Sequence, residues 1–447
     1  MRASFEVDQG ETVGFSLRWY PPEEANPASA TDPTQVLQRI GDVIEAWRSW
    51  EAEHDIYEGP HKELVRASAR VLKGLTYRPT GAIIAAPTTS LPESVGGERN
   101  WDYRFSWIRD SSLTLEALYI AACPDEAEEF VSFMTSSAGG HAGEGSLQIM
   151  YGIGGEHDLS ERSLTHLRGW RDSAPVRVGN GAWHQVQLDV YGELLNSMYV
   201  YRERLGELHP EIQAFVADLA DAAARRWREA DAGMWEMRGE PGHHLSSKVL
   251  CWVALDRAVK LAPALGAHGK VDEWAAARDE IREAVLERGW SEKRQAYAQS
   301  FDSDELDAAQ LLMPVYGFLP ATDQRMRSTI EAIARELTDD GLVLRYRNEK
   351  GLNADGLAGE EGAFVICSFW LVACLAEASE VVRAERLFDR LTGYTNDLGL
   401  LAEEIDVASG EQLGNYPQAF SHVGLINAAY AIDKQTAGNA GPTSTSS

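Results

Sequence analysis

A chain of 447 residues, 44 % hydrophobic and 25 % charged, has the composition of an ordinary globular protein and is long enough to bury a sizeable core. Its formal net charge of −28 is spread over many short segments, which opposes nucleic acid and anionic membrane surfaces as partners and favours small or neutral ones. Cys123, Cys251, Cys367 and Cys374 lack CxxC spacing and have mostly apolar neighbours, which argues against a disulfide framework or a metal site.

The first residues, MRASFEVDQGETVGF, carry no basic segment followed by an apolar one, and no later run of about 18 apolar residues follows. A reduced, cytoplasmic setting is the expectation. Alternation of Phe5, Val7, Val13, Phe15, Leu17 and Trp19 predicts one or two strands about a Gln9-Gly10 turn. A Pro/Ala/Thr-rich linker follows over 21–33, then a helix to about residue 53 containing Trp47 and Trp50. Residues 1–55 therefore read as a short strand pair, linker and helix.

From His61 onward two kinds of helical segment alternate. Segments 62–75, 125–135, 210–229, 271–288, 323–337 and 381–391 are amphipathic with one charged face; 112–122, 186–201, 248–261, 306–315, 363–378 and 422–432 are apolar nearly all round. A helix apolar on every side must be covered on every side. The apolar segments recur roughly every 55 to 75 residues, as expected for six hairpins, each with an outer and an inner helix. The predicted fold is all-α: an (α/α)6 toroid over 56–434, with an open solenoid as the alternative. Residues 435–447, rich in Thr, Ser, Gly and Ala, read as a disordered tail.

Nearly every unusual cluster falls in a loop ahead of an inner helix: GERNWDYRFSWIRD (97–110), PVRVGNGAWHQVQ (175–187), GMWEMRGEPGHHLSSK (233–248), 344–362, and LAEEIDVASGEQLGNYPQAFSH (401–422). Those loops share one end of the toroid, which predicts a pocket on its axis. There is no Gly-rich phosphate loop, no GxSxG elbow and no His/Cys metal spacing, and His243-His244 reads as loop surface. Carboxylates beside aromatics and arginines recur instead, a set suited to acid/base work on a sugar. Glu236 lies between Trp235 and Met237, an apolar setting suited to a proton donor. Glu403 and Glu404 stand together, and one of them could activate a water.

At these residues the chain resembles glycoside hydrolase family 15, the family of glucoamylases, glucodextranases and bacterial trehalases. WDYRFSWIRDSSLTLEALY, RVGNGAWHQVQLDVYGE, GMWEMRG with SKVLCWVALDRAV, GEEGAFVICSFWLVACLAEA and LLAEEIDVASGEQLGNYPQAFSHVGLINAAY carry the resemblance, with PTGAIIAAPTTSLPE ahead of them. It implies an (α/α)6 barrel and an inverting, exo-acting hydrolase that releases glucose from trehalose or malto-oligosaccharides, with no cofactor. By resemblance Glu236 matches the general acid and Glu403 the general base. Arg109 and Asp110 match the pair holding the terminal glucose, Trp107 and Trp235 its walls, and Arg345 and Glu361 further sugar-side groups. Bacterial members usually carry a β-sandwich ahead of the barrel; here a strand pair and helix stand in its place, as in a short form or a chain whose natural start lies upstream. A homo-oligomer is left open. A catalytically idle barrel used for sugar sensing is the alternative, marked by loss of a catalytic carboxylate; a phosphorolytic barrel would replace the base with a phosphate pocket.

Overall fold

The computed structural model describes residues 4–17, 33–122, 126–138, 147–203, 208–347 and 361–439. The chain divides into two units, Met1–Asp55 and Ile56–Ser447. In the first, residues 4–17 make the Gln9-Gly10 turn, closed by the Glu11 amide donating to the Asp8 carbonyl at 3.0 Å, and the Phe5 and Phe15 rings lie 5.3 Å apart. The expected strands are not formed among these residues. Two short arms alone do not sustain a ladder. Helix α1 spans Pro33–His54, with Trp47 edge-on to Trp50.

The second unit holds twelve α-helices among its described residues, in the alternation that the sequence predicts. They are α2 (Lys62–Gly74), α3 (Ile108–Ala121), α4 (Glu126–Ala138), α5 (Asp189–Tyr201), α6 (Pro210–Arg226), α7 (Leu245–Leu261), α8 (Val271–Arg288), α9 (Leu312–Val315), α10 (Gln324–Glu336), α11 (Val365–Glu377), α12 (Val381–Thr392) and α13 (Ala419–Asn439). The odd-numbered members form a closed ring: α3 packs on α5, α5 on α7, α7 on α9, α9 on α11, α11 on α13, and α13 returns to α3. The even-numbered members lie outside, α6 against α5 and α7, α12 against α11 and α13. This is the (α/α)6 toroid.

Burial follows the sequence pattern. Inner helix α11 is buried at every position from Val365 to Ala376, whereas outer helix α12 buries only Ala384, Phe388 and Leu391, one stripe at helical spacing. Phe388 packs between His61 and Phe369, with ring centroids at 4.3 and 5.8 Å. Truncating it to Ala would cost about 3–5 kcal/mol. The inner helix α9 is short. Asp307 caps the 3-10 turn Ala308–Leu311 before it by accepting from the Ala309 amide at 2.7 Å, and Pro314, which has no N–H to donate, stands within its single turn.

Extended structure consists of two-residue pairs in the loops. Ser106–Trp107 pairs with Met150–Tyr151, and Glu404–Ile405 lies between Ala363–Phe364 and Gln412–Leu413. These clips fix the loops ahead of α3, α11 and α13. At the other end of the chain, residues 435–439, expected in the disordered tail, are the last turn of α13; the rest of that tail lies outside the described residues. Cys251, Cys367 and Cys374 are buried free thiols, and Cys123 lies outside the described residues. No described helix is long and apolar enough to cross a membrane.

Candidate active site

The loops ahead of α3, α5, α7, α11 and α13 converge on one cavity. Glu93, Arg99, Trp101 and Tyr103 line it from the first loop with Arg109 from the start of α3, Asn180 from the second, and Met234, Trp235, Glu236 and Arg238 from the third. Arg345 and Phe364 come from the fourth, Glu403 from the fifth, and Phe420 from the start of α13. The loop ahead of α9 contributes no lining residue but anchors one: Asp307 accepts from the Trp235 indole at 2.9 and 3.1 Å.

Glu236 sits in a tight turn with φ at +58°, in the left-handed region that a residue with a Cβ rarely adopts. The turn is held by its surroundings. Buried Asp231 accepts from the Leu188 amide, the Gly233 amide and the Ser247 hydroxyl at 3.1, 3.2 and 2.7 Å, and the Gln185 amide donates to the Glu236 carbonyl at 3.3 Å. The Glu236 carboxylate does not have the apolar setting that its neighbours suggest. In so sharp a turn adjacent side chains diverge, and Trp235 goes to Asp307. Glu236 Oε1 instead accepts from the Trp107 indole at 2.7 Å and from Arg109 at 3.3 Å.

Glu403 has a different environment. It is 5 % exposed; Oε1 accepts from the Tyr103 hydroxyl at 2.8 Å, and the buried Oε2 has no hydrogen-bond partner. Gly414 allows this placement, since with φ at +77° a Cβ there would stand 2.9 Å from Glu403 Oε2. Of the adjacent acidic pair only Glu403 lines the cavity; Glu404 accepts from the Gly362 amide at 2.7 Å. Glu93, Glu403 and Glu404 each bring one oxygen to within 4.8 Å of the others. Burial and then the neighbouring carboxylate of Glu93 push Glu403 well above the usual carboxylate range, and burial pushes Glu93 up to about 7. The offsetting charge beside this group is guanidinium: Arg99 stands 3.6 Å from Glu93 and 3.3 Å from Glu361.

The remaining predicted residues divide between wall and support. Trp107 meets the cavity through the hydrogen bond it gives Glu236 and is not itself part of the lining. Arg109 lines the cavity, donates to Gln187 at 3.1 Å and lies 3.7 Å from Asp189 and 3.9 Å from Asp110. Asp110 is buried behind it, and burial, only partly offset by Arg109, raises its carboxyl to about 7. Arg345 lines the wall over the rings of Phe364 and Trp235 at 4.2 and 5.2 Å, while Glu361 stands behind it, accepting from Arg345 Nε at 3.1 Å. His243 is exposed and His244 half-buried, neither lining the cavity.

Glu93 and Tyr103 are absent from the site residues expected from sequence. Tyr103 lies inside the aromatic stretch 97–110 and Glu93 ends PTTSLPE, but an irregular loop has neither the helical nor the strand period that shows which side chains turn inward.

A profile of Glycosyl hydrolases family 15 matches residues 59–387 and 379–430. A trehalase of Mycolicibacterium smegmatis is 47 % identical over 432 residues, 96 % of this chain and 64 % of its own length. A trehalase of Mycobacterium tuberculosis is 45 % identical over 434 residues, 96 % of this chain and 62 % of its own. The chain thus spans less than two thirds of the length of these relatives. A crystal structure of a bacterial glucoamylase complexed with acarbose superposes with a TM-score of 0.70 at 15 % identity, covering 90 % of this chain and 62 % of that one, a likeness of fold. With a profile match over most of its length and relatives near half identity, the chain belongs to glycosyl hydrolases family 15.

Proposed function

We propose that the protein is an inverting, exo-acting hydrolase of α-glucosides, with trehalose as its first substrate and malto-oligosaccharides as the alternative. One observation carries the reading: Glu236 and Glu403, from loops far apart in sequence, open onto one cavity whose walls alternate aromatic rings with arginines and acids. The names of the two mycobacterial relatives favour trehalose.

In this mechanism Glu236, oriented by Trp107 and Arg109, gives its proton to the glycosidic oxygen as the bond to the anomeric carbon breaks. Glu403 removes a proton from the water that attacks that carbon from the opposite face. Arg109 and Arg345 bind hydroxyls of the terminal glucose, Trp235 bounds it, and Asp110 and Glu361 hold the two arginines in place from behind. Inversion requires the two carboxyls to stand about 6.5–9.5 Å apart. Buried free thiols accord with a cytoplasmic setting.

Incubation with trehalose, maltose, isomaltose and soluble starch, followed by glucose release, tests the reading. Trehalose should be cleaved, and proton NMR at early times should show α- and β-glucose in equal amounts, because one glucose leaves with its configuration kept and the attacked one is inverted. Initial release of α-glucose alone would exclude inversion, and inertness toward all four sugars would exclude the hydrolase.

A further inference from the structure

Glu93 reaches the cavity from a bend in the loop ahead of α3, and the mechanism above does not use it. It is 3 % exposed, lines the cavity wall, and brings a carboxylate oxygen to within 4.8 Å of Glu403 and Glu404. Glu93 Oε2, Glu403 Oε2 and Glu404 Oε1 are all buried without a hydrogen-bond partner. Two carboxylates so close cannot both ionise as readily as one alone, even with Arg99 standing 3.6 Å from Glu93 Oε2.

We propose that Glu93 is a positioning residue for the proposed base: its carboxylate, set against Glu403 across the back of the cavity, fixes the pH at which Glu403 becomes free to accept a proton from water. The inference rests on Glu403 acting as the base. Around Glu93 stand Arg99 at 3.6 Å, the Trp101 indole, Arg345, and the acids Glu361, Glu403 and Glu404. Around Glu403 stand the Tyr103 hydroxyl, Arg345, Asp110 and Glu93. The two arginines of this set are shared with Glu361, which contacts both, Arg99 at 3.3 Å, so they do not neutralise the acids one for one. The surplus is relieved by a proton retained within the group. While Glu93 is charged, Glu403 keeps that proton to higher pH, which makes it a stronger base once ionised. Glu403 is displaced upward by burial and by Glu93, and Glu93 by burial and by Glu361.

The test is the pH profile of trehalose hydrolysis by the full chain and by Glu93→Gln. Removal of the facing charge should move the acid limb of kcat to lower pH by about one unit or more, with KM changed less than twofold. Glu93→Asp, which keeps the charge, should keep the limb near its wild-type position. A uniform fall in kcat with the limb unmoved would reduce Glu93 to a structural role, and a rise in KM with the limb unmoved would make it a sugar contact; either result overturns the proposal. If Glu93→Gln does not fold, infrared titration of the carboxyl stretch in wild type and Glu403→Gln decides. The Glu93 carboxyl, raised to about 7 by burial, should titrate at lower pH in Glu403→Gln, and an unmoved step would overturn the pairing. Because that measurement needs no turnover, inactivity of the wild type toward every sugar would sink the hydrolase reading while leaving the electrostatic pairing separately tested.

Discussion

The two carboxylates across the cavity are the same residue type in opposite surroundings. Glu236 rides on a strained turn and accepts from an indole and a guanidinium on a single oxygen, leaving its other oxygen to the cavity. Glu403 is buried among other acids, with one phenol as its donor. The contrast teaches that position is controlled on one side and proton affinity on the other: donors and a rigid turn aim Glu236, whereas like charge and burial set when Glu403 ionises.

Removing either carboxylate breaks the comparison outright. Glu236→Gln and Glu403→Gln should each lower kcat by about two orders of magnitude or more while far-UV circular dichroism stays native. Asp110→Asn comes next. By weakening the hold on Arg109, which grips Glu236, it should reduce kcat/KM by roughly 10- to 100-fold in steady-state assays. Trp107→Phe keeps the ring and deletes the indole N–H, so Glu236 retains Arg109 as a donor; a loss of about tenfold in kcat is expected.

The Glu403 side is sharpened by smaller effects. An acid whose folded value is raised contributes stability below its unfolded value near 4.5, and that contribution is lost as pH rises toward the folded value. Glu403→Gln should therefore unfold at a higher temperature than wild type at pH 8, by roughly a few degrees, with the gap closing toward pH 4 in calorimetry. Smallest is Tyr103→Phe. The phenol steadies the ionised form of Glu403, so its loss should move the acid limb to higher pH, opposite in sign to the effect of Glu93→Gln.

The ring was legible because burial leaves a mark on composition. Helix α11 could be read as enclosed from VICSFWLVACLAE alone, and α12 as peripheral from its single stripe. Glu236 and Glu403 were legible as candidates because both stand in distinctive loops ahead of inner helices. What those loops do to a side chain was not legible. The turn that sends Trp235 to Asp307 and gives Glu236 to Trp107 depends on contacts 72 and 129 residues away. Glu93 meets Glu403 only because the ring closes. Over the described residues, the opening alternation of Phe5 to Leu17 overstated strand structure, since pattern reports which faces differ and not whether a partner exists to pair with.

Closure of the ring has a consequence for the order in which the protein is built. Thr88 donates to Asn415 across 327 residues at 2.8 Å, and α13 seals the gap between α11 and α3. Until α13 packs into that gap, the apolar flanks of α3 and α11 that it covers are exposed. Contacts between chain ends are the slowest to form. The nascent chain must therefore hold most of its inner ring together before it possesses a site, and loss of α13 would remove cavity and closure at once.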